Sequence, residues 1–177
     1  MAPPALMEPW DNSGLQVGAR SAPVKSILTA LDPAPDVIEA ACRAEIDMLI
    51  THHPLLFEPL TTVDLESPGG RLLARALQCR LNIYSLHTPL DKVQGGLNDM
   101  LAQHLHLQDL QAFIAAGDDE RLDGLGRCGV LNRAMRLEAL AADVKTSLDI
   151  PHVRVAGPPR LLIKKAVICS GSGGGLF

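Results

Sequence analysis

The sequence predicts an α/β protein: largely parallel sheet flanked by helices, followed by a second, partial α/β half. Strand-like and helix-like stretches alternate from Val24 to Leu105 with short connections, the pattern of parallel βαβ units. Of the 177 residues 47% are hydrophobic, yet only three Phe, one Trp and one Tyr occur, so the core must be aliphatic. A glycine- and acid-rich stretch at 115–129 then interrupts the alternation, and the boundary is drawn there, giving regions 1–114 and 115–177.

Taken in order, "VKSILTALD" (24–32) alternates and then runs apolar, as a strand does. "PAPDVIEAACRAEI" follows as a helix, with Asp36 placed to cap it and Val37, Ile38, Ala41 and Cys42 along one side. "DMLIT" (47–51) is the next strand. "SPGGRLLARALQ" is a second helix, with Leu72, Leu73, Ala76 and Leu77 on its apolar face. "LNIYSLHT" (81–88) is a third strand, and "GGLNDMLAQHL" a helix striped by Leu97, Met100, Leu101 and Leu105. In the second region "GVLN", "HVRVAG" and "IKKAVICSG" read as strands. "RLEALAADVKTSLD" reads as an amphipathic helix with Leu137, Leu140, Ala141, Val144 and Leu148 on one face.

Composition also bounds function. The net charge is −4 and the pI about 5.8, with no basic run carrying interleaved aromatics, so nucleic-acid binding is not expected. Cys42, Cys79, Cys128 and Cys169 are widely spaced and form no CxxC pair; all four are expected as reduced core residues. No apolar run approaches ~18 residues, and the opening "MAPPALMEPW" lacks the pattern of a signal peptide. No membrane association and a cytoplasmic location are therefore expected.

Chemistry concentrates after the second and third strands. Right-handed crossovers would place their carboxyl ends on one sheet edge, where sites form in open α/β sheets. "THHP" puts His52 and His53 side by side at one such end, and "HTPLD" puts His87 and Asp91 at the other. Tandem imidazoles at a strand terminus suit Zn, Fe, Ni or Cu, although a hydrogen-bonded loop would use the same residues. Asp91 can bridge cations or simply serve a turn. His87 reads as a group beside the ligands, orienting the site or meeting substrate, rather than as a ligand itself. His104 and His106 diverge on a helix end and read as surface residues, and His152 has no partner in sequence. "CSGSGGG" lacks the lysine of a phosphate loop and reads as a turn. "WDNSGLQVG" (10–18) reads either as a capped turn plus a short strand or as a loop lining the site. No nucleophile with its base can be assigned, so catalytic residues stay unknown.

Four blocks in this order, "WDNSGLQVG", "DMLITHHPLLF", "YSLHTPLDKVQGGLNDMLA" and "GLGRCGVL", with "KKAVICSGSGGG" as a fifth, resemble the NGG-interacting-factor-three-like family. Its members are described as dinuclear-metal-centre proteins and named as type-two GTP cyclohydrolase homologues. The resemblance implies two related α/β subdomains, the second incomplete here, and assembly into a homohexameric ring. It implies two divalent metal ions (Zn, Fe or Mn) held by His52, His53 and Asp91, with His87 at the same site. It also implies a histidine and a glutamate from a C-terminal segment that has no counterpart before Phe177, so a truncated chain with an incomplete site is expected. The functional expectation is a metal-dependent hydrolase of a nucleotide-like or phosphorylated small molecule. A non-catalytic metal-binding scaffold and an inactive remnant are the alternatives.

Overall fold

The structure, a computed structural model, describes residues 2–116, 123–173 and 176. The chain forms two compact units, Met1–Leu90 and Asp91–Phe177.

The first unit is a four-stranded mixed sheet in the order β1-β4-β3-β2, built from β1 (Gly14–Val17), β2 (Ile27–Ala30), β3 (Met48–Thr51) and β4 (Asn82–Ser85). Strands β2, β3 and β4 run parallel, and β1 pairs antiparallel with β4 at the edge. The connections are helices α1 (Pro35–Arg43) and α2 (Pro68–Gln78), each opening with proline at its first position. Proline fits there because its missing N–H would have no intrahelical partner. Ser67 caps α2 by accepting from the Gly70 N–H at 3.0 Å. Asp36 sits in the first turn of α1 rather than at its cap, which is Ala34. There its charge complements the helix dipole instead of closing a donor.

The core of this unit is aliphatic, as the composition requires. Val17, Leu49, Leu81 and Ile83 pack with Ile38 and Ala41 of α1 and Leu73 and Ala76 of α2. Burying each of the larger side chains contributes roughly 1.5–3 kcal/mol. Gly18 closes β1 with φ +117°, and a Cβ there would meet the Asn82 side chain at 2.2 Å, so only glycine fits.

The expectation of four reduced cysteines is corrected: Cys42 and Cys79 form a disulfide, while Cys128 and Cys169 are thiols. Packing of α1 against α2 brings the two Cα atoms to 5.6 Å, a separation that 37 residues of sequence do not disclose.

The second unit holds α4 (Leu97–His104), β5 (Leu107–Ala115), β6 (Gly124–Arg136), α5 (Leu137–Ser147) and β7 (Leu162–Ile168), preceded by the short α3 (Thr88–Lys92), which spans the division. Its sheet, β5-β6-β7, is antiparallel throughout. The expected "GVLN" strand is the middle of the longer β6, and the expected apolar face of α5 is the half-buried one. Residues 152–157 are not a strand, although "HVRVAG" alternates; they run between Pro151 and Pro158, exposed except for the half-buried Val153, with no ladder partner. The stretch 115–129 enters β6 at Gly124, and its residues 117–122 lie outside the described residues, as do 174 and 175 of the terminal glycine run.

Candidate metal centre

Parallel pairing sets Thr51 beside Ser85, so β3 and β4 end together. His52 follows Thr51 directly, and His87 stands two residues beyond Ser85. The backbone past β3 stays tied to the sheet. His52 N–H and His53 N–H donate to the carbonyls of Ala30 and Leu31, at 3.3 and 3.0 Å. Ser85 Oγ donates to His52 O at 2.8 Å, and Thr51 Oγ1 to His53 O at 2.7 Å. Beyond the last ladder pair the strict alternation of side chains lapses, and neighbouring imidazoles can turn to one side.

They do. His52, His53 and His87 each offer a ligand atom within 4.8 Å of the others, and all three residues are half-buried. Their ring centroids lie 4.9 Å (52 to 53), 5.1 Å (52 to 87) and 5.6 Å (53 to 87) apart. Among the described residues this is the one group of three or more metal-ligating side chains.

The far side of each ring is also fixed. His52 Nδ1 meets the Leu86 carbonyl at 3.0 Å, His53 Nδ1 meets Asp32 Oδ1 at 2.6 Å, and His87 Nδ1 meets Asp11 Oδ1 at 2.8 Å. A carbonyl and two carboxylates can only accept, so each Nδ1 carries the hydrogen, and Nε2 is the ring atom with which each histidine would ligate a metal. That is the donor set a borderline transition metal takes, with each Nδ1–H bonded as in metal sites generally.

Asp11 is the more elaborate of the two supports. Burial of its carboxyl works to raise the pKa, but hydrogen bonds from Thr88, His87 and Ser13, with the charge attraction of His87, outweigh it and hold the group below the usual carboxylate range. Asp11 Oδ2 accepts from Ser13 Oγ at 2.7 Å and from Thr88 N–H at 3.1 Å, and Asn12 N–H reaches Oδ1 at 2.7 Å. The "WDNSGLQVG" stretch is thus both of its readings at once: a turn leading into β1, and a loop bearing on the site.

Asp91 opens the second unit, within α3. There Ser170 Oγ, just past β7, donates to Asp91 Oδ1 at 2.9 Å, and the buried Asn98 joins the Asp91 carbonyl to Ser170 N–H at 2.9 and 2.7 Å. His104 hydrogen-bonds the Ser147 carbonyl.

The family model described as Duf34/NIF3 (NGG1p interacting factor 3) matches residues 1–177. The chain belongs to the DUF34/NIF3 family. A relative named GTP cyclohydrolase 1 type 2 homolog, from Clostridium acetobutylicum, is 35% identical over 99% of this chain and 66% of its own length. NGG1-interacting factor 3 of Saccharomyces cerevisiae is 28% identical over 95% of this chain and 65% of its own. The crystal structure of Staphylococcus aureus hypothetical protein SA1388 superposes with a TM-score of 0.87 at 30% identity, covering 98% of this chain and 69% of that one. This DUF34/NIF3 chain thus spans about two thirds of the length of the curated relatives it matches.

In this DUF34/NIF3 site sequence reasoning passes over Asp32 and reaches Asp11 only as part of a stretch that could line the site. Asp32 had a usable signal: it ends the first strand-like stretch, and the same edge rule that singles out the histidines applies to it. Asp11 lay in the "WDNSGLQVG" stretch, but its pairing with His87 was not legible, because the β1 strand that follows it joins the sheet antiparallel.

Proposed function

We propose that this chain binds divalent metal at His52, His53 and His87 and acts as a metal-dependent hydrolase of a nucleotide-like or phosphorylated small molecule. The observation that supports it is the set of three imidazoles that each bring one ligand atom within 4.8 Å of the others, with every Nδ1 already hydrogen-bonded. A divalent ion bound there supplies a water acidic enough to act as hydroxide near neutral pH and an electrophile for a phosphoryl or ring-carbon centre. The chain's own residues supply the orientation: Asp11, Asp32 and the Leu86 carbonyl hold the rings so that none must turn to bind. On the family resemblance Asp91 is assigned as the carboxylate ligand, and two ions as the full complement. The clostridial relatives' name, GTP cyclohydrolase 1 type 2 homolog, puts GTP first among substrates to try.

The test is turnover of GTP and a panel of nucleotides and phosphoesters by protein loaded with Zn or Mn. The expected result is hydrolysis that stops on chelation and in Asp91→Ala. Metal retained with no turnover on any of them contradicts the hydrolase and leaves a metal-binding scaffold.

A further inference from the structure

We infer that Trp10 and Phe57 form a stacking surface beside the three histidines for a planar heteroaromatic ring of nucleobase size, carried by the ligand of the metal centre. The inference rests on the metal-centre reading for where the rest of that ligand goes. In a chain with five aromatic residues, burial would be the ordinary use of a tryptophan and a phenylalanine. Instead Trp10 is 59% exposed and Phe57 45% exposed, at the same place. Their ring centroids lie 6.2 Å apart at a 53° tilt, and each meets the edge of His87, at 5.9 and 6.4 Å. The aromatic wall therefore continues into the imidazole cluster without a break.

The wall is also held in place. Its two residues come from separate loops, which are tied together by Asn12 Nδ2 donating to Leu56 O and by Leu56 N–H donating to Gln16 Oε1 at 3.1 Å. Polar bonds are spent on keeping two apolar faces in solvent next to a polar cluster. A surface of aromatic faces with a few converging polar groups is the make-up of a small-molecule site. A flat π-face suits a base, whereas a sugar phosphate or an aliphatic acid brings no π-face to stack on it.

Trp10 is the chain's only tryptophan, so its fluorescence reports on the wall directly. Guanosine monophosphate and ribose 5-phosphate are titrated into the full chain, metal-loaded and chelator-stripped, with metal content measured in parallel. The nucleotide should quench Trp10 saturably in both metal states, and the sugar phosphate should not. Phe57→Leu, at an exposed position, should weaken nucleotide binding about tenfold, the factor about 1.4 kcal/mol gives, with metal content unchanged. No saturable quench, an equal response to ribose 5-phosphate, or full affinity in Phe57→Leu overturns the inference. So does a Trp10 signal that follows protein concentration instead of ligand, because a second copy then covers the wall. A chain that binds no metal but shows the quench loses only the metal reading; metal binding without the quench loses only the stacking surface.

Discussion

The carboxylate of Asp11 accepts from five donors: the Nδ1–H of His87, the hydroxyls of Ser13 and Thr88, and the backbone N–H groups of Asn12 and Thr88. Asp11→Ala removes the acceptor of all five hydrogen bonds and frees the His87 ring to turn and change tautomer. Losing such a support costs about 10–100-fold in metal affinity. Competition against a chromophoric chelator measures it, with Asp11→Asn, which keeps one oxygen acceptor, losing less. Wild-type affinity in Asp11→Ala would remove the orienting role. Asp47 makes a pH-dependent counterpart. Backbone N–H groups of Lys25 and Ser26, then the Ser26 hydroxyl, donate to its Oδ2 and hold its pKa below the ordinary carboxylate value. With the folded pKa depressed, the stabilisation is complete above the unfolded value of about 3.9 and is lost as pH falls through the folded one. The melting-temperature gap between wild type and Asp47→Asn should therefore hold steady from pH 7 to about 5 and shrink below about 4. A gap that widens on acidification would reverse the sign argued here.

Helix α4 and strand β6 meet through a charge pair that is almost wholly buried. Arg127, 2% exposed, engages both carboxylate oxygens of Asp99 and donates to the carbonyls of Lys92, Val93, Gly124 and Gly126. Every guanidinium nitrogen is thereby bonded. Asp99→Ala leaves the cation buried without its partner, and we expect a loss of about 3–5 kcal/mol in denaturant unfolding; a loss under about 1 kcal/mol would mean the pair carries little. How far each element could be read from sequence follows from the same physics. Strands β2, β3 and β4 and helices α1 and α2 are legible because each buries one strong apolar face, and the chain order fixes parallel pairing. The three histidines are legible as strand-end residues. Strand β5 is not, since most of its residues are exposed and it follows a helical stripe without punctuation. Residues 152–157 carry a strand's alternation but no partner to pair with, and pairing is not written in local sequence. The Cys42–Cys79 bond is likewise invisible until two helices are docked.

As a whole the chain covers about two thirds of its curated relatives, and its two units divide within α3, between Leu90 and Asp91. No helix among the described residues is long and apolar enough to cross a membrane. Self-association into a ring is proposed on the family resemblance; light scattering should then return a multiple of 18.9 kDa, and a single-chain mass would contradict it. The centre itself is tested most directly by elemental analysis of purified protein, wild type beside His52→Ala and His53→Ala. Three imidazoles gathered with each Nδ1 hydrogen-bonded should retain a divalent transition metal that both substitutions release. A wild type that holds none after reconstitution with Zn or Mn, or variants that hold as much as the wild type, would contradict the account.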